Sequence, residues 1–435
     1  MTYQEAIQYL YQLQRYGIRP SLEVIDGLME ALGQPHQKIR SVHVGGTNGK
    51  GSTCAMLASI LRAAGYKVGL YTSPHLIDFT ERIQINGVPI PGESVAVLTD
   101  HIREASRPSL PPTFFEFTTA MAFLYFAQQQ VDVAVVEVGM GGRFDATNVL
   151  NPLVSVITNV DYDHEVFLGT TIPQIAAEKA GIIKAYTPVI TATSRPEAVQ
   201  VIEETCLQKK ARLTLLGREV WVDGRLASGG SADFDYHGQK MTLRHLVCPL
   251  LGRHQIINAG TVLAVAEVLA NSGMEWSEAS IREGLRSVRW EGRLEVVKRE
   301  PLVLLDGAHN PAGAKVLGNF LTEIKQVRKG RLLLVIGILA DKNISGILKE
   351  LVPCADQVIL SRPDYSEAAS LDELRKGLRG FSIPVIAKES IPEAVNFAMG
   401  RLLPQDILCV TGSLYTVGAA KAHLEGRAKP PVFRG

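Results

Sequence analysis

The sequence predicts an α/β protein, with a mostly parallel sheet in a larger N-terminal unit and a second, smaller α/β unit behind it. Three observations carry this. Short apolar runs alternate with glycine-bearing turns and helical stripes along most of the chain. Val131–Val138 is an almost unbroken apolar run, which suits a strand buried on both faces. The rhythm then restarts near Leu302, with a strand that ends in Asp306-Gly307-Ala308-His309-Asn310-Pro311. A chain of 435 residues has room for two or three domains. The boundary is placed between Gly292 and Val297, giving units 1–294 and 295–435.

The elements follow in order. The first 40 residues read as two helices. In the second, Ser21 is the expected N-cap, Leu22, Ile25, Leu28, Met29 and Leu32 form the apolar stripe, and Gly33 ends it. Ser41–Val44 is a strand that runs into the loop Gly45–Ser52. A helix follows through Leu57, Ile60, Leu61 and Ala64 and stops at Gly65. Val68–Tyr71 is the next strand and ends at Thr72-Ser73-Pro74-His75. Val154–Thr158 ends at Asn159-Val160-Asp161-Tyr162-Asp163-His164. Residues 212 to 247 form a small β-rich excursion, with Gly224, Gly229, Gly230 and Gly238 as turn points. In the second unit Leu302–Leu305, Leu332–Ile336, Gln357–Leu360 and Ile407–Val410 are strands with helices between.

Composition narrows the class. Lys plus Arg number 45 and Asp plus Glu 44, a formal net charge of +1, which argues against a broad nucleic-acid footprint. An apolar content of 46% with 20% charged residues belongs to a globular chain, not a disordered one. The cysteines, Cys54, Cys206, Cys248, Cys354 and Cys409, are far apart and include no CxxC pair. They exclude a zinc ribbon or disulfide framework and fit a reducing cytoplasm. The N-terminal segment carries acids within its apolar pattern, unlike a signal peptide, and no apolar stretch approaches the roughly 20 residues of a membrane span. The expectation is a soluble cytoplasmic protein with no nucleic-acid or membrane partner.

The strongest local signal is His43-Val44-Gly45-Gly46-Thr47-Asn48-Gly49-Lys50-Gly51-Ser52-Thr53, between a strand and a helix. Glycines let backbone N–H groups turn towards an anion, and the helix N-terminus adds a favourable dipole. Lys50 would reach the outer phosphates of a nucleotide, and a hydroxyl one or two residues on would hold Mg²⁺. The pattern departs from G-x-x-x-x-G-K-[ST]. Val44 replaces the first glycine, and Gly51 separates Lys50 from Ser52. A glycine-rich turn that binds nothing is disfavoured by the strand–loop–helix context. The first unit is therefore expected to be P-loop NTPase-like, and the second Rossmann-like.

Ligands of open parallel sheets bind beyond the carboxyl ends of the strands. Ser73, Glu137, His164 and Asp306 all sit at such ends. A carboxylate in VDVAVVEVG is costly to bury unless paired or bound to metal. Each residue also has a plainer reading: Glu137 in a salt bridge, His164 bonded to loop backbone, Ser73 an ordinary loop serine. As a set beside the phosphate loop, a hydroxyl, a carboxylate and an imidazole could share a divalent cation. Ile172, Ile175, Ala176, Lys179, Ala180 and Ile183 fall on one helical stripe across Ile172–Ile183, so Lys179 lies on the apolar face. Burial lowers a lysine pKa, and a neutral amine can take up CO₂ to become a carbamate. The alternative, favoured by the residues alone, is a snorkelling lysine paired with Glu178 or another acid.

Taken together, the motifs resemble the folylpolyglutamate synthase/dihydrofolate synthase family of the Mur ligase superfamily. The carriers are GTNGKGS at 46–52, TSPHL at 72–76, FFEFTTAMAF at 114–123, EVGMGGRFDATN at 137–148, DYDHEVFLG at 161–169, EKAGIIK at 178–184, GRHQIINA at 252–259, EGRLE at 291–295 and DGAHNP at 306–311. The resemblance runs from about Tyr3 to about Leu424. It implies an ATP-dependent ligase that activates a substrate carboxylate as an acyl phosphate, which the amine of L-glutamate then attacks. The implied ATP contacts are Asn48, Gly49, Lys50, Gly51, Ser52, Asn258, Arg293 and Asp306. The implied Mg²⁺ ligands are Ser52, Ser73, Glu137 and His164, and the implied carbamylated lysine is Lys179. Lys50, Lys179 and His309 take the catalytic roles. The resemblance places the pterin of the folate or dihydropteroate near Phe115, Glu116, Thr118, Phe144, Asp145 and Ala146. A monovalent cation such as K⁺ and a monomeric state are further expectations of the same kind.

Two departures stand out. Asp341-Lys342-Asn343 occupies the place of the family's DKD, and Glu367-Ala368 that of an Arg-Ala pair. Other Mur ligases carry a UDP-binding domain ahead of the phosphate loop, whereas only 44 residues precede Gly45 here, room for two helices. A P-loop switch without ligase activity would need neither the GRFDATN nor the DGAHNP loop. Within the family, Phe114–Thr119 is compatible with the bifunctional form, while a ligase confined to polyglutamylation is the alternative.

Overall fold

The computed structural model describes residues 1–226 and 230–427. The first sheet has eight strands: β1 (Ser41–Gly45), β2 (Val68–Tyr71), β3 (Ile83–Ile85), β4 (Val88–Pro89), β5 (Val133–Glu137), β6 (Val154–Ile157), β7 (Val189–Thr191) and β8 (Leu213–Leu215). Their order is β4-β3-β2-β5-β1-β6-β7-β8, parallel from β2 to β8, with β3 and β4 antiparallel at one edge. A three-stranded antiparallel sheet follows from β9 (Trp221–Leu226), β10 (Ser231–His237) and β11 (Thr242–Leu251). The last sheet uses β12 (Glu295–Arg299), β13 (Leu302–Leu305), β14 (Leu332–Ile336), β15 (Gln357–Leu360), β16 (Val385–Ala387) and β17 (Ile407–Thr411). Its order is β12-β13-β17-β14-β15-β16, parallel except for β12.

The central strands read as apolar runs because both faces are covered. Val133 and Val135 of β5 pack with the helices Lys50–Ala63 and His254–Ala270, whereas Ala134 and Val136 pack with the helix Phe114–Gln128. That is the two-residue alternation of a strand between two layers. The helix Phe114–Gln128 is buried on nearly all sides, as its FFEFTTAMAFLYF sequence requires.

Several expectations change in detail. The second N-terminal helix spans Glu23–Ala31 with Leu22 at the cap, so Ser21 is not its N-cap. The Ser21 hydroxyl instead accepts the Glu23 N–H at 3.1 Å, a turn just ahead of the helix. The strand expected over Val131–Val138 is confined to Val133–Glu137. The helix expected over Ile172–Ile183 ends at Ala180, though Ile183 stays buried. Gly224 is no turn: it lies within β9, where a Cβ would stand 2.5 Å from that of Phe234. Gly230 and Gly238 do lie between strands, and Gly229 lies outside the described residues. The described cysteines are free thiols, four of them buried, and no described helix is long and apolar enough to cross a membrane.

Candidate active site

The carboxyl ends of β1, β2, β5 and β6 open into one cavity of about 780 Å³. Its opposite wall comes from the ends of β13 and from the start of the helix Pro311–Arg328. The loop after β1 is built for close approach. Gly46 has φ +137° and a Cβ there would lie 2.0 Å from the Thr158 hydroxyl; Gly49 has φ +83° and would meet Asn258 Oδ1 at 2.6 Å. Only glycine fits both backbone and space. The loop is pinned from outside: Thr47 N–H donates to Asn159 O at 2.9 Å, Asn48 N–H to Asn159 Oδ1 at 2.7 Å, and the Thr158 hydroxyl to Asn48 O at 2.6 Å. Lys50 Nζ folds back to donate to Gly46 O and Thr47 O, each at 3.1 Å. Both departures from the common motif now have a reason. Val44 is a core residue of β1, fully buried. Gly51 faces the ring of Trp290, which would stand 2.7 Å from a Cβ at that position.

Around the loop stand the other predicted groups. Glu137 ends β5 and is buried, and Oε2 accepts the Ser73 N–H at 3.1 Å. No cationic side chain lies within 4.0 Å of it among the described residues, so the salt-bridge reading fails. Desolvation raises its pKa, and the charge of Lys50 opposes that. Ser52 Oγ accepts from Gln255 Nε2 at 3.3 Å. His164 has φ +49°, and burial lowers its pKa to about 4 although Asp163 opposes the shift, so the imidazole is neutral. Among the described residues no three His, Cys, Asp or Glu side chains gather as a ready-made metal cluster. The set that converges is two hydroxyls, one under-partnered carboxylate and one neutral imidazole. Such a donor set fits a hard divalent cation that keeps some of its water.

Lys179 lies beneath the loop, 3% exposed, and its Nζ donates to Gly46 O at 3.0 Å. Desolvation first, then the nearby charge of Lys50, lower its pKa to about 7. The snorkelling alternative is overturned. Glu178 pairs with Arg143 at 3.6 Å instead, and Lys179 has no carboxylate within 4.0 Å among the described residues.

Across the cleft stand Arg293, on the segment that connects the two units, and Asp306 and His309 of the second unit. Asp306 is buried and accepts the N–H groups of Leu294 at 2.8 Å and Ala308 at 2.9 Å, which fixes the loop after β13. His309 Nδ1 lies 2.8 Å from Gly307 O, leaving Nε2 to face the first unit. Asn258 Nδ2 donates to Gln255 Oε1 at 2.9 Å. Every predicted nucleotide, metal and catalytic residue lines this one cavity.

The six predicted pterin-side residues do not line it. They lie one layer away, towards the helix Phe114–Gln128. Phe115 stacks on Tyr71, with ring centroids 6.1 Å apart. The Thr118 hydroxyl lies 3.1 Å from Tyr71 OH. Glu116 Oε2 accepts the Thr113 N–H at 2.7 Å in a capping box, while its buried Oε1 has no partner. Asp145 accepts from Met140 N at 2.9 Å and Thr147 N at 3.1 Å; Ala146 is buried beside it and Phe144 is 45% exposed.

Four residues of the site escaped sequence reasoning: Asp163, Asn310, Lys342 and Trp290. Asp163 Oδ1 accepts from Lys342 Nζ at 3.1 Å, and Oδ2 from Asn310 Nδ2 at 3.0 Å. Asp163 and Asn310 lie inside quoted motifs and Lys342 inside a noted departure, yet their contacts join segments some 150 residues or more apart.

A nucleotide loop on one unit, facing an arginine of the connecting segment and two loop residues of the other unit, is the arrangement of an ATP-driven ligase with an interdomain centre. The Mur ligase middle domain matches residues 44–266, and the Mur ligase glutamate ligase domain matches residues 292–414. A dihydrofolate synthase/folylpolyglutamate synthase of Bacillus subtilis is 36% identical over 435 residues, covering 98% of this chain and 99% of the relative. A folylpolyglutamate synthase of Lacticaseibacillus casei is also 36% identical, with the same coverage of 98% and 99%. The structure of Escherichia coli FolC in complex with DHPP and ADP superposes with a TM-score of 0.87 at 34% identity, covering 97% of this chain and 98% of that one. The chain belongs to the dihydrofolate synthase/folylpolyglutamate synthase family of Mur ligases.

Proposed function

We propose that the protein is an ATP-dependent ligase that joins L-glutamate to folates, and to dihydropteroate as well, through an acyl phosphate. The observation that carries this is the single cavity that gathers Lys50 and Glu137 of the first unit with Asp306 and His309 of the second and Arg293 of the segment between them. A carboxylate is a poor electrophile, and phosphorylation gives it a leaving group. Bringing one anion onto another needs positive charge held in place beforehand. Lys50 and the N-terminus of the helix Lys50–Ala63 meet the phosphates. Arg293 adds a guanidinium from the connecting segment, and Asp306 of the second unit holds the loop that presents His309. Ser52, Ser73, Glu137 and His164 would hold a divalent cation. When bound, Mg²⁺ supplies further charge neutralisation at the phosphates.

Lys179, its pKa lowered to about 7 by burial, is suited in its neutral form to react with CO₂: its nitrogen bonds to carbon, one proton leaves, and a carbamate results. The six residues around Phe115 and Asp145 form our proposed pterin side, supported by the unpartnered Glu116 Oε1 and the exposed Phe144 ring. We place the protein in the cytoplasm as a monomer, and keep residues 1–294 and 295–435 as its two units. Free thiols support the cytoplasmic reading, and the first strand of the last sheet starting at Glu295 supports the division into units. A K⁺ requirement would show in the assay below when Na⁺ replaces K⁺.

The test is phosphate release from ATP with Mg²⁺ and L-glutamate, run in parallel with dihydropteroate and a reduced folate, with products weighed by mass spectrometry. Release with both, each acceptor gaining one glutamyl unit, is expected. Release with the folate alone would make this a dedicated polyglutamylating ligase, an activity carried in name by the Lacticaseibacillus casei relative. Release with neither, from protein that still binds ATP, would sink the folate reading.

A further inference from the structure

The two units meet directly over the phosphate loop through one buried carboxylate. Asp163 follows β6 in the first unit and is 9% exposed. Every side chain that reaches it across the cleft comes from the second unit. Lys342 Nζ donates to Oδ1 at 3.1 Å. Asn310 Nδ2 donates to Oδ2 at 3.0 Å. His309 Nε2 stands 3.5 Å from Oδ2. The Lys342 side chain is itself only 8% exposed, and its Nζ is 3.5 Å from His164 Nε2 on the cavity wall.

Asn310 makes the contact a three-way one. It is the N-cap of the helix Pro311–Arg328, its Oδ1 accepting the Gly313 N–H at 2.8 Å. The same side chain exchanges two hydrogen bonds with Asn48 of the phosphate loop, at 3.2 and 3.0 Å. A helix of the second unit, the loop that carries His309, and the phosphate loop are therefore tied at one point. Such contacts lower the entropy of assembling a reactive arrangement before the chemistry begins.

We propose that Asp163 is a positioning residue for the ligase reaction: it captures Asn310, His309 and Lys342 of the second unit and seats them against the phosphate loop, so the reactive cavity is complete only when this contact is made. The proposal rests on the ligase function above. It assigns Asp163 no contact with the nucleotide or acceptor. Its loss should therefore slow turnover without weakening nucleotide binding to the same degree.

Asp163→Asn keeps the shape and removes the charge. We expect kcat to fall by about tenfold or more, with ADP affinity by calorimetry changed less than about threefold. Asp163→Glu should recover more activity than Asp163→Ala. Lys342→Met, made from the other unit, should reproduce the loss, and the double variant should cost little beyond either single one. Small-angle scattering with ADP bound should give a larger radius for Asp163→Asn than for the wild type. An unchanged kcat, additive losses in the double variant, or a kcat that falls only in step with the melting temperature would each overturn the proposal. Should the wild type turn over no acceptor, the ligase reading falls by itself, and the scattering comparison decides the contact: equal radii would overturn it.

Discussion

Lys179 is held by a backbone carbonyl rather than an acid, and that has a consequence for stability. Its amine titrates near 10.5 when the chain is unfolded and near 7 when buried beneath Gly46. Between those pH values the unfolded chain binds the extra proton, so stability rises with pH across that window and is lost as pH falls through it. Replacing the residue by methionine removes the slope. The unfolding free energy of the wild type relative to Lys179→Met should move in favour of the wild type by up to about 1.4 kcal/mol per pH unit from pH 7 to 10. A constant difference in urea unfolding across that range would speak against a neutral amine. For the carbamate, Lys179→Ala should lose turnover and regain part of it on adding a short carboxylate such as acetate. Stability loss without catalytic loss would leave the lysine a purely structural role. Lys50→Ala should abolish turnover while circular dichroism and melting stay near those of the wild type. Near-normal activity would remove Lys50 from the phosphate site. Glu137→Gln should lower the rate and raise the Mg²⁺ concentration needed for half-maximal activity, and an unmoved metal titration would count against a ligand role.

The loop between β1 and the helix Lys50–Ala63 shows which parts of the architecture the sequence makes legible. Apolar strands buried on both faces announce themselves: Val68–Tyr71, Leu302–Leu305, Leu332–Ile336 and Gln357–Leu360 fall where their composition puts them. Strands at edges do not. β12 reads Glu-Val-Val-Lys-Arg and β4 is only Val-Pro, exposed, because an edge strand needs no apolar run. Glycines are ambiguous for the same physical reason in reverse. Gly224 marks the close approach of Phe234 inside a sheet, not a turn. Gly51 marks Trp290, some 240 residues away in the chain, which no local pattern reveals. That Ser73, Glu137, His164 and Asp306 line one cavity was legible because each ends or follows a strand. Asp163, Asn310 and Lys342 were not, because their roles are defined only once two sheets face each other. At the loop itself, Gly49→Ala forces a side chain into φ +83° and towards Asn258 Oδ1 at 2.6 Å. We expect a stability loss of about 1–3 kcal/mol together with weaker ADP binding by calorimetry. Wild-type affinity in this variant would mean the loop relaxes without disturbing the phosphate contacts.

At the scale of the whole molecule the two units touch at several places, two of which have different jobs. One is the contact of Asp163 over the cavity. The other is a joint on the far end of the helix Leu414–Leu424, where Lys421 is 3% exposed by side chain and sits among three carboxylates. It bonds Glu295 of β12 and stands 3.2 Å from Glu291 of the connecting segment and 3.2 Å from Glu425. The same helix lies against the backbone that follows β2: at Gly418 a Cβ would be 2.0 Å from Leu76 O. Helix, connecting segment and β12 are thus packed as one body, and none of these acids belongs to the nucleotide cavity. Removing the cation leaves the acids facing one another. Because they are partly open to solvent the penalty is smaller than for a fully buried pair. Lys421→Met should therefore cost about 1–3 kcal/mol in chemical denaturation, while kcat at saturating substrates stays within about threefold of the wild type. Asp163→Asn should show the opposite balance, with turnover lost and stability largely kept. If Lys421→Met instead lost turnover with no change in denaturation midpoint, the joint would be governing the approach of the two units, and the division of labour between the two contacts would have to be reversed.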